Sequence, residues 1–539
     1  VIIDQNLNFK EHAAYAMAKG TKYMMTCRRI IRPTRGIHGK LVKRLFESVV
    51  LPKMLYAADI WCAGLIAKGR GRKGGGRGAR GFASQMARVQ RMATLLITGG
   101  LRSTATDVLD THANVLPFQQ ALRKICHRAT LRMATLPAPH PLAKESKKAY
   151  EYSERRQFQG RKRYPSPLHR LMNEFQINPS TIEKIEPVRH YPKWEPDVAT
   201  QIAESTKQAE KDDTLATEDM RVYSDGSSVD GGVGGAAVLM RGEEVVRMKR
   251  LHLGSDEEHT VYEAELVGMI LAIQMLKEEG GSRGGTMALG VDNQAAILAT
   301  TAFQSRPGHH LVDTFHDDLR KLLPRKDGRK LVIRWSPGHK GIPGNEAADE
   351  EAKKAASGDS SDTHELPKSL LKRDGTIREL PQSKSALKQK FHSKIKEEAA
   401  NIMRESPRYA RLQSIDHTFP SRKFASRIAD LPRKHGTLIF QLRTGHVALN
   451  KYLHRIGKAP SAKCQECNTH EETVHHFLLV CPRFARQRNA LSLEIGPRQL
   501  HVKYLLSEIK GIKATLKYIA RTKRMEQIFG DVTPPKEKE

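Results

Sequence analysis

Cysteine is scarce in this chain, with six in 539 residues. A secreted disulfide scaffold would be shorter and denser in cysteine, so a reducing intracellular setting, nuclear or cytoplasmic, is the expectation. Long apolar runs are missing as well. The most apolar stretch, Ser48 to Ala67, is broken by Pro52, Lys53 and Asp59. It reads as core helix, and nothing approaches the roughly 18 residues a membrane span requires. The first ten residues hold Asp4, Asn6 and Lys10, unlike a secretory signal peptide. Val1 stands where an initiator Met is expected, which suggests a fragment or a processed piece. Acidic residues are in deficit: 59 Asp and Glu against 91 Lys and Arg, a net charge of +32. Such an excess calls for a polyanionic partner, nucleic acid or acidic membrane. No convincing basic amphipathic helix supports the membrane reading.

What is present suggests about three domains at this length. Hydrophobic residues make up 39%, too many for a wholly disordered chain. Residues 1–135 read as mostly helical, interrupted by the Gly, Lys and Arg loop of residues 68–81, KGRGRKGGGRGARG. That loop cannot bury a core; it is a solvated linker, an RNA-phosphate contact or a nuclear import signal. Residues 136–218 read as a basic, Pro-rich linker. From residue 219 the pattern changes to strands at Arg221–Ser224, Val233–Met240, Glu244–Leu251, Thr286–Val291 and Leu331–Trp335. Helices are expected at Val261–Lys277, Leu311–Leu323 and Asn345–Ala356. These five strands and interleaved helices predict an α/β fold, a mixed five-stranded sheet flanked by helices. Residues 357–385 read as a linker, residues 386–500 as helical and basic, and residues 501–539 as a basic tail.

Four acidic residues stand where these elements begin or end: Asp225 in YSDGSS, Glu265 in YEAEL, Asp292 in GVDNQAA and Asp349 in GNEAADEEA. One carboxylate from each of four elements can converge over one sheet edge. Oxygen-only ligand sets of this kind suit magnesium or manganese. Periodicity does not choose between Glu263 and Glu265. The run YSDGSS, AELVGMILAI, VDNQAAI and SPGHKGIPGNEAAD resembles type-1 ribonuclease H. The resemblance implies two metal ions, with Asp225 bridging both. Asp349 would hold the water-activating ion, and Glu265 and Asp292 the one facing the leaving group. His339 would assist proton transfer or product release, and Gln294 and Asn345 are candidate substrate contacts; Asn345 could equally N-cap the last helix. The stretch Thr300–His310 is short and weakly basic where some relatives carry a basic protrusion, so grip on the substrate must come from elsewhere.

Near the C-terminus, Cys464-x2-Cys467-x8-His476-x4-Cys481 has the spacing of a structural zinc set, with His475 as rival fourth ligand. Upstream, FQLRTGHVALNKYLHRIG is basic with interleaved aromatics, as in nucleic-acid contacts or an ordinary amphipathic helix pair. A ribonuclease H core followed by these two motifs is similar to the C-terminal half of a non-LTR retrotransposon polyprotein. FKEHAAYAMAKGTKYM and VVLPKMLYAADIW resemble the thumb and connector that follow a reverse-transcriptase palm. A polymerase would carry an aromatic-x-Asp-Asp turn between strands. The one textual match, Phe315-His316-Asp317-Asp318, falls inside an expected helix with the Asp pair on or near its outer face, so no polymerase site is expected here. The expected activity is endonucleolytic cleavage of the RNA strand of RNA–DNA hybrids, supported by two magnesium (or manganese) ions and a structural zinc ion. The alternative is a silent nucleic-acid-binding remnant. Residues 219–356 hold 18 Lys and Arg against 21 Asp and Glu, a net of −3, leaving +35 on the flanks. The flanks are expected to bind phosphates and the core to do the chemistry.

Overall fold

The computed structural model describes every residue except 8, 33, 64–76, 157–165, 190–197, 219, 281–284, 324–327, 422 and 536–539. The basic loop therefore lies outside the described residues up to 76; residues 77–81 open the helix Arg77–Thr98. Two compact units are present, residues 127–392 and residues 1–126 together with 393–539.

The unit of residues 127–392 is built on one mixed sheet. Its strands are β1 (Val198–Gln201), β2 (Met220–Val229), β3 (Gly232–Arg241), β4 (Glu244–Ser255), β5 (Thr286–Val291) and β6 (Lys330–Trp335), in the order β1-β6-β5-β2-β3-β4. The five-stranded expectation is thus corrected to six among the described residues. The extra strand, VATQ, lies in the stretch read as linker and pairs in parallel with β6, Val198 opposite Leu331. An edge strand of four half-exposed residues shows no hydrophobic alternation, so its sequence carries no strand signal. β2 turns into β3 through Asp230 and Gly231, both at positive φ, the two-residue turn that suits the twist of a hairpin.

Alternation along β2 sends Val222 to one face and Tyr223 to the other. On the first face lies the long helix Val261–Glu279, buried almost all round and started by a capping box between Thr260 and Glu263. Its Leu266, Ile270 and Ile273 join Leu239, Leu289 and Ile333 in the main core. On the second face the closing helix Pro343–Ala356 brings Ala348 against Tyr223, Val238 and Met240. The helix His309–Leu322 buries Leu311, Phe315, Leu319 and Leu322, and the Asp317–Asp318 pair lies inside it, not in a turn between strands. Asp318 is corrected from outer-face to buried, because Ser369 Oγ donates to its Oδ2 at 2.6 Å. Ser369 belongs to the expected linker of residues 357–385, which instead packs: Leu366 and Leu370 enter the main core.

The unit of residues 1–126 and 393–539 is helical. Its core gathers Leu438, Phe440 and Leu442 of the helix Arg433–Thr444 with Phe477, Leu505, Leu516, Tyr518 and Ile519. The expected basic tail forms the helices Val502–Ser507, Ile509–Thr522 and Glu526–Phe529. Ile512, Leu516 and Ile519 recur at helical spacing and are buried, while Lys510, Lys513 and Lys517 take the other positions. Among the described residues no helix is long and apolar enough to cross a membrane.

Candidate active site

Parallel pairing of β2 with β5 sets Ser224 opposite Val291. The next residues, Asp225 and Asp292, therefore lie side by side at the same end of the two strands. The long helix adds the third carboxylate, and two glycines let it come close. A Cβ on Gly226 would fall 2.4 Å from Glu265 N, and one on Gly268 would fall 2.8 Å from Ala236 O, so the first turns of the helix rest directly on β2 and β3. Glu265 thereby reaches Asp225 and Asp292, with ligand oxygens of all three within 4.8 Å of one another. Glu263 is committed elsewhere: its carboxylate accepts from Thr260 N at 2.8 Å. This separates the two glutamates that periodicity left open.

Asp225 and Glu265 are buried, 5% and 3% exposed. All three carboxyls are held above the ordinary carboxylate range. Burial is the first cause in each; the charge of Asp292 then raises Asp225 and Glu265, and Asp349 adds to the effect on Asp225 and Asp292. Glu265 Oε2 and Asp292 Oδ1 are buried without a hydrogen-bond partner. Unpaired buried carboxylate oxygens are costly, and a hard divalent cation would satisfy them with the ligand type it prefers. The residues present fit such an ion.

Asp349 stands beside this trio and outside its 4.8 Å circle. Its Oδ2 lies 2.7 Å from Lys353 Nζ, one helical turn on, and 3.9 Å from His339 Nδ1. His339 is exposed, at φ 56° in the loop before the closing helix. Gln294 is exposed at the start of the helix Gln294–Ala302. Asn345 is not a cap, which is a correction: Ile342 occupies that position, with Pro343 in the first turn. Asn345 is instead 2% exposed with its Oδ1 unpartnered. Asn293 was missed. It caps the helix Gln294–Ala302 by accepting from Ala295 N and Ala296 N, and its Nδ2 approaches Glu265 Oε1 at 3.5 Å. An Asn directly before a helix is a readable cap signal; its reach to Glu265 is not.

Cys464, Cys467, His476 and Cys481 form a second cluster, again with ligand atoms within 4.8 Å. His476 is buried and 3.5 Å from Cys467 Sγ through Nε2, whereas His475 is exposed. Three thiols and one imidazole fill a tetrahedral set without leaving a position for substrate. Buried Glu472 braces it, paired with Arg524 at 2.7 Å and accepting from Asn450 N at 2.7 Å. Tyr518 donates to Phe477 O at 2.6 Å, so the final helices are tied to this cluster.

The RNase H family profile matches residues 217–357. No curated protein matches the chain. Similar solved structures include the N-terminal RNase H domain of Rv2228c from Mycobacterium tuberculosis, determined as a fusion with maltose binding protein. It is 18% identical, covering 25% of this chain and 98% of that one at a TM-score of 0.21. RNase H1 from the halophilic archaeon Halobacterium salinarum NRC-1 is 22% identical over 26% of this chain and 97% of its own, with a TM-score of 0.20. LC11-RNase H1, isolated from compost by a metagenomic approach, is 18% identical over 26% and 97%, with a TM-score of 0.22.

Proposed function

We propose that this chain, which carries an RNase H domain over residues 217–357, hydrolyses the RNA strand of RNA–DNA hybrids with divalent metal ions. The observation that carries the reading is the convergence of Asp225, Glu265 and Asp292, with buried oxygens that no protein group satisfies. Magnesium or manganese bound there would supply an activated water and charge stabilisation for the leaving oxygen. Asp225 would be shared by both ions, Glu265 and Asp292 would hold the one on the leaving-group side, and Asp349 would serve the water side. His339, exposed and 3.9 Å from Asp349, is free to carry a proton to or from the reacting phosphate. Gln294, which is exposed, would contact the hybrid, whose RNA strand is distinguished by its 2′-hydroxyls. Cys464, Cys467, His476 and Cys481 would hold a structural zinc ion.

We further read the chain as the C-terminal part of a non-LTR retrotransposon polyprotein, with residues 1–135 as thumb and connector. Its support is the order of the motifs along the sequence and the closed Cys/His cluster beyond the nuclease domain.

A second reading, a folded but silent nucleic-acid binder, is favoured by one contact: Lys353 Nζ occupies Asp349 Oδ2 at 2.7 Å, where an ion would otherwise draw the carboxylate. An end-labelled hybrid separates the two. Magnesium-dependent cleavage of the RNA strand, leaving 3′-hydroxyl and 5′-phosphate ends and an intact DNA strand, is the expected result. Binding without cleavage at any magnesium or manganese concentration selects the silent reading.

A further inference from the structure

The basic motif at residues 443–455, RTGHVALNKYLHR, plays no part in the chemistry above, and its arginines divide into two kinds. Arg443 is fully buried. It pairs with Asp416 at 3.1 Å and donates to Leu506 O and Ser507 Oγ at 2.8 and 2.9 Å, so its charge is consumed inside the fold. The helix then ends at Gly445, with φ +68°, and the chain turns outward at His446.

Around His446 the charges are left over. Arg455 Nη2 lies 3.0 Å from His446 Nε2. A guanidinium only donates, so Nε2 accepts and the ring proton sits on Nδ1, 3.0 Å from Ser103 Oγ. Ser103 Oγ is in turn 2.6 Å from Tyr452 Oη. The imidazole stacks on Tyr452 with centroids 5.2 Å apart, and the Arg455 guanidinium lies 5.2 Å from the centre of the same ring. Arg411 closes the other side: a Cβ on Gly445 would fall 2.0 Å from its Nη2. Burial, then Arg455, Arg411 and Arg408, push the pKa of His446 down to about 4, in keeping with a neutral ring between cations. Arg408 has a carboxylate nearby, Asp107 at 3.5 Å. Arg411 and Arg455 have no ion pair among the described residues, and both are exposed.

Two exposed guanidiniums converging on one imidazole without a carboxylate between them repel each other unless an anion joins them. We propose that Arg411 and Arg455, with His446 as the brace that holds Arg455 in place, form a phosphate-binding site in the unit of residues 1–126 and 393–539, and that its ligand is a backbone phosphate of a nucleic-acid strand. The planar fork of arginine matches a phosphate's oxygens. A polymer is favoured over free phosphate because the residues outside 219–356 carry +35, a field suited to a polyanion. Tyr452 is 6% exposed and already engaged by His446 and Arg455, so it offers no face for a base, and binding there is independent of sequence. The site does not rest on the nuclease reading: a chain that cleaves nothing would still bind through it.

The test uses the full chain and a labelled single-stranded RNA without magnesium, with affinity measured over a range of salt concentrations. Replacing Arg411 and Arg455 together by alanine should weaken binding roughly fivefold near physiological salt. It should also make the salt dependence shallower by about 0.7 for each phosphate no longer neutralised. Replacing both by lysine should keep the salt slope and reduce the affinity in part. Wild-type affinity and slope in an alanine variant with an unchanged melting temperature would overturn the proposal. If the alanine variant does not fold, the lysine variant decides, and wild-type affinity in it overturns the proposal. Displacement of the RNA by millimolar inorganic phosphate, but not by chloride at matched ionic strength, would identify a free-phosphate site and overturn the nucleic-acid assignment.

Discussion

The described residues hold two clusters of metal-ligand type, and they differ in what supports them. The carboxylates of Asp225, Glu265 and Asp292 sit on a sheet and a long helix that share an extensive apolar core. The thiols and imidazole of Cys464, Cys467, His476 and Cys481 sit on turns and one short wide helical segment. The first cluster is a destabilising feature that the surrounding fold tolerates, as expected of a site of chemistry. The second has little regular structure of its own and leans on Glu472–Arg524 and Tyr518 for support, so an ion bound there would add its binding free energy to the folding free energy. Removing metal should therefore silence the first region and loosen the second.

The largest expected effect breaks that contrast on the structural side. Cys481→Ser should abolish stoichiometric zinc binding and lower the melting temperature by more than about 10 °C, on the order expected when a site worth about 10 kcal/mol or more is removed; a zinc assay and calorimetry check it. Next is Arg443→Met. It leaves Asp416 buried with Arg427, at 2.8 Å, as its remaining cationic partner, and should cost about 3 kcal/mol in denaturant unfolding, the low end for breaking a buried pair.

On the carboxylate side the effect is smaller and depends on pH. The folded-state pKa values of Asp225, Glu265 and Asp292 are raised above their ordinary values. The folded chain thus binds protons more tightly than the unfolded one, and metal-free stability should fall as pH rises above the ordinary carboxylate range near about 4. Magnesium should flatten that fall, and a Tm–pH series with and without it is the check. The smallest effect sharpens the role of Asp349. Lys353→Ala frees its Oδ2 and should lower the magnesium concentration needed for half-maximal cleavage by roughly twofold to fivefold, in line with about 0.5 to 1 kcal/mol for an exposed pair.

Much of the RNase H domain was legible because its signals are local. The apolar helix and the carboxylates at element ends can each be read within a few residues. What escaped depended on partners distant in sequence. Val198–Gln201 becomes a strand because β6 offers it an edge. Asp318 is buried because Ser369 covers it. The helix Ile509–Thr522 carries a readable apolar stripe, but the charge of the tail masked it. His476 is separated from His475 only by which ring turns inward. The paired arginines at His446 were hidden because Arg411 and Arg455 are 44 positions apart in the sequence.

The most direct test pairs Asp225→Asn with the wild-type chain on one labelled RNA–DNA hybrid in magnesium. The variant should lose roughly a thousandfold or more of the cleavage rate, the scale of several kcal/mol of transition-state stabilisation. It should still bind the hybrid, hold its zinc and melt no lower than the wild type. Cleavage by the variant at the wild-type rate would contradict the assignment of chemistry to the carboxylate cluster.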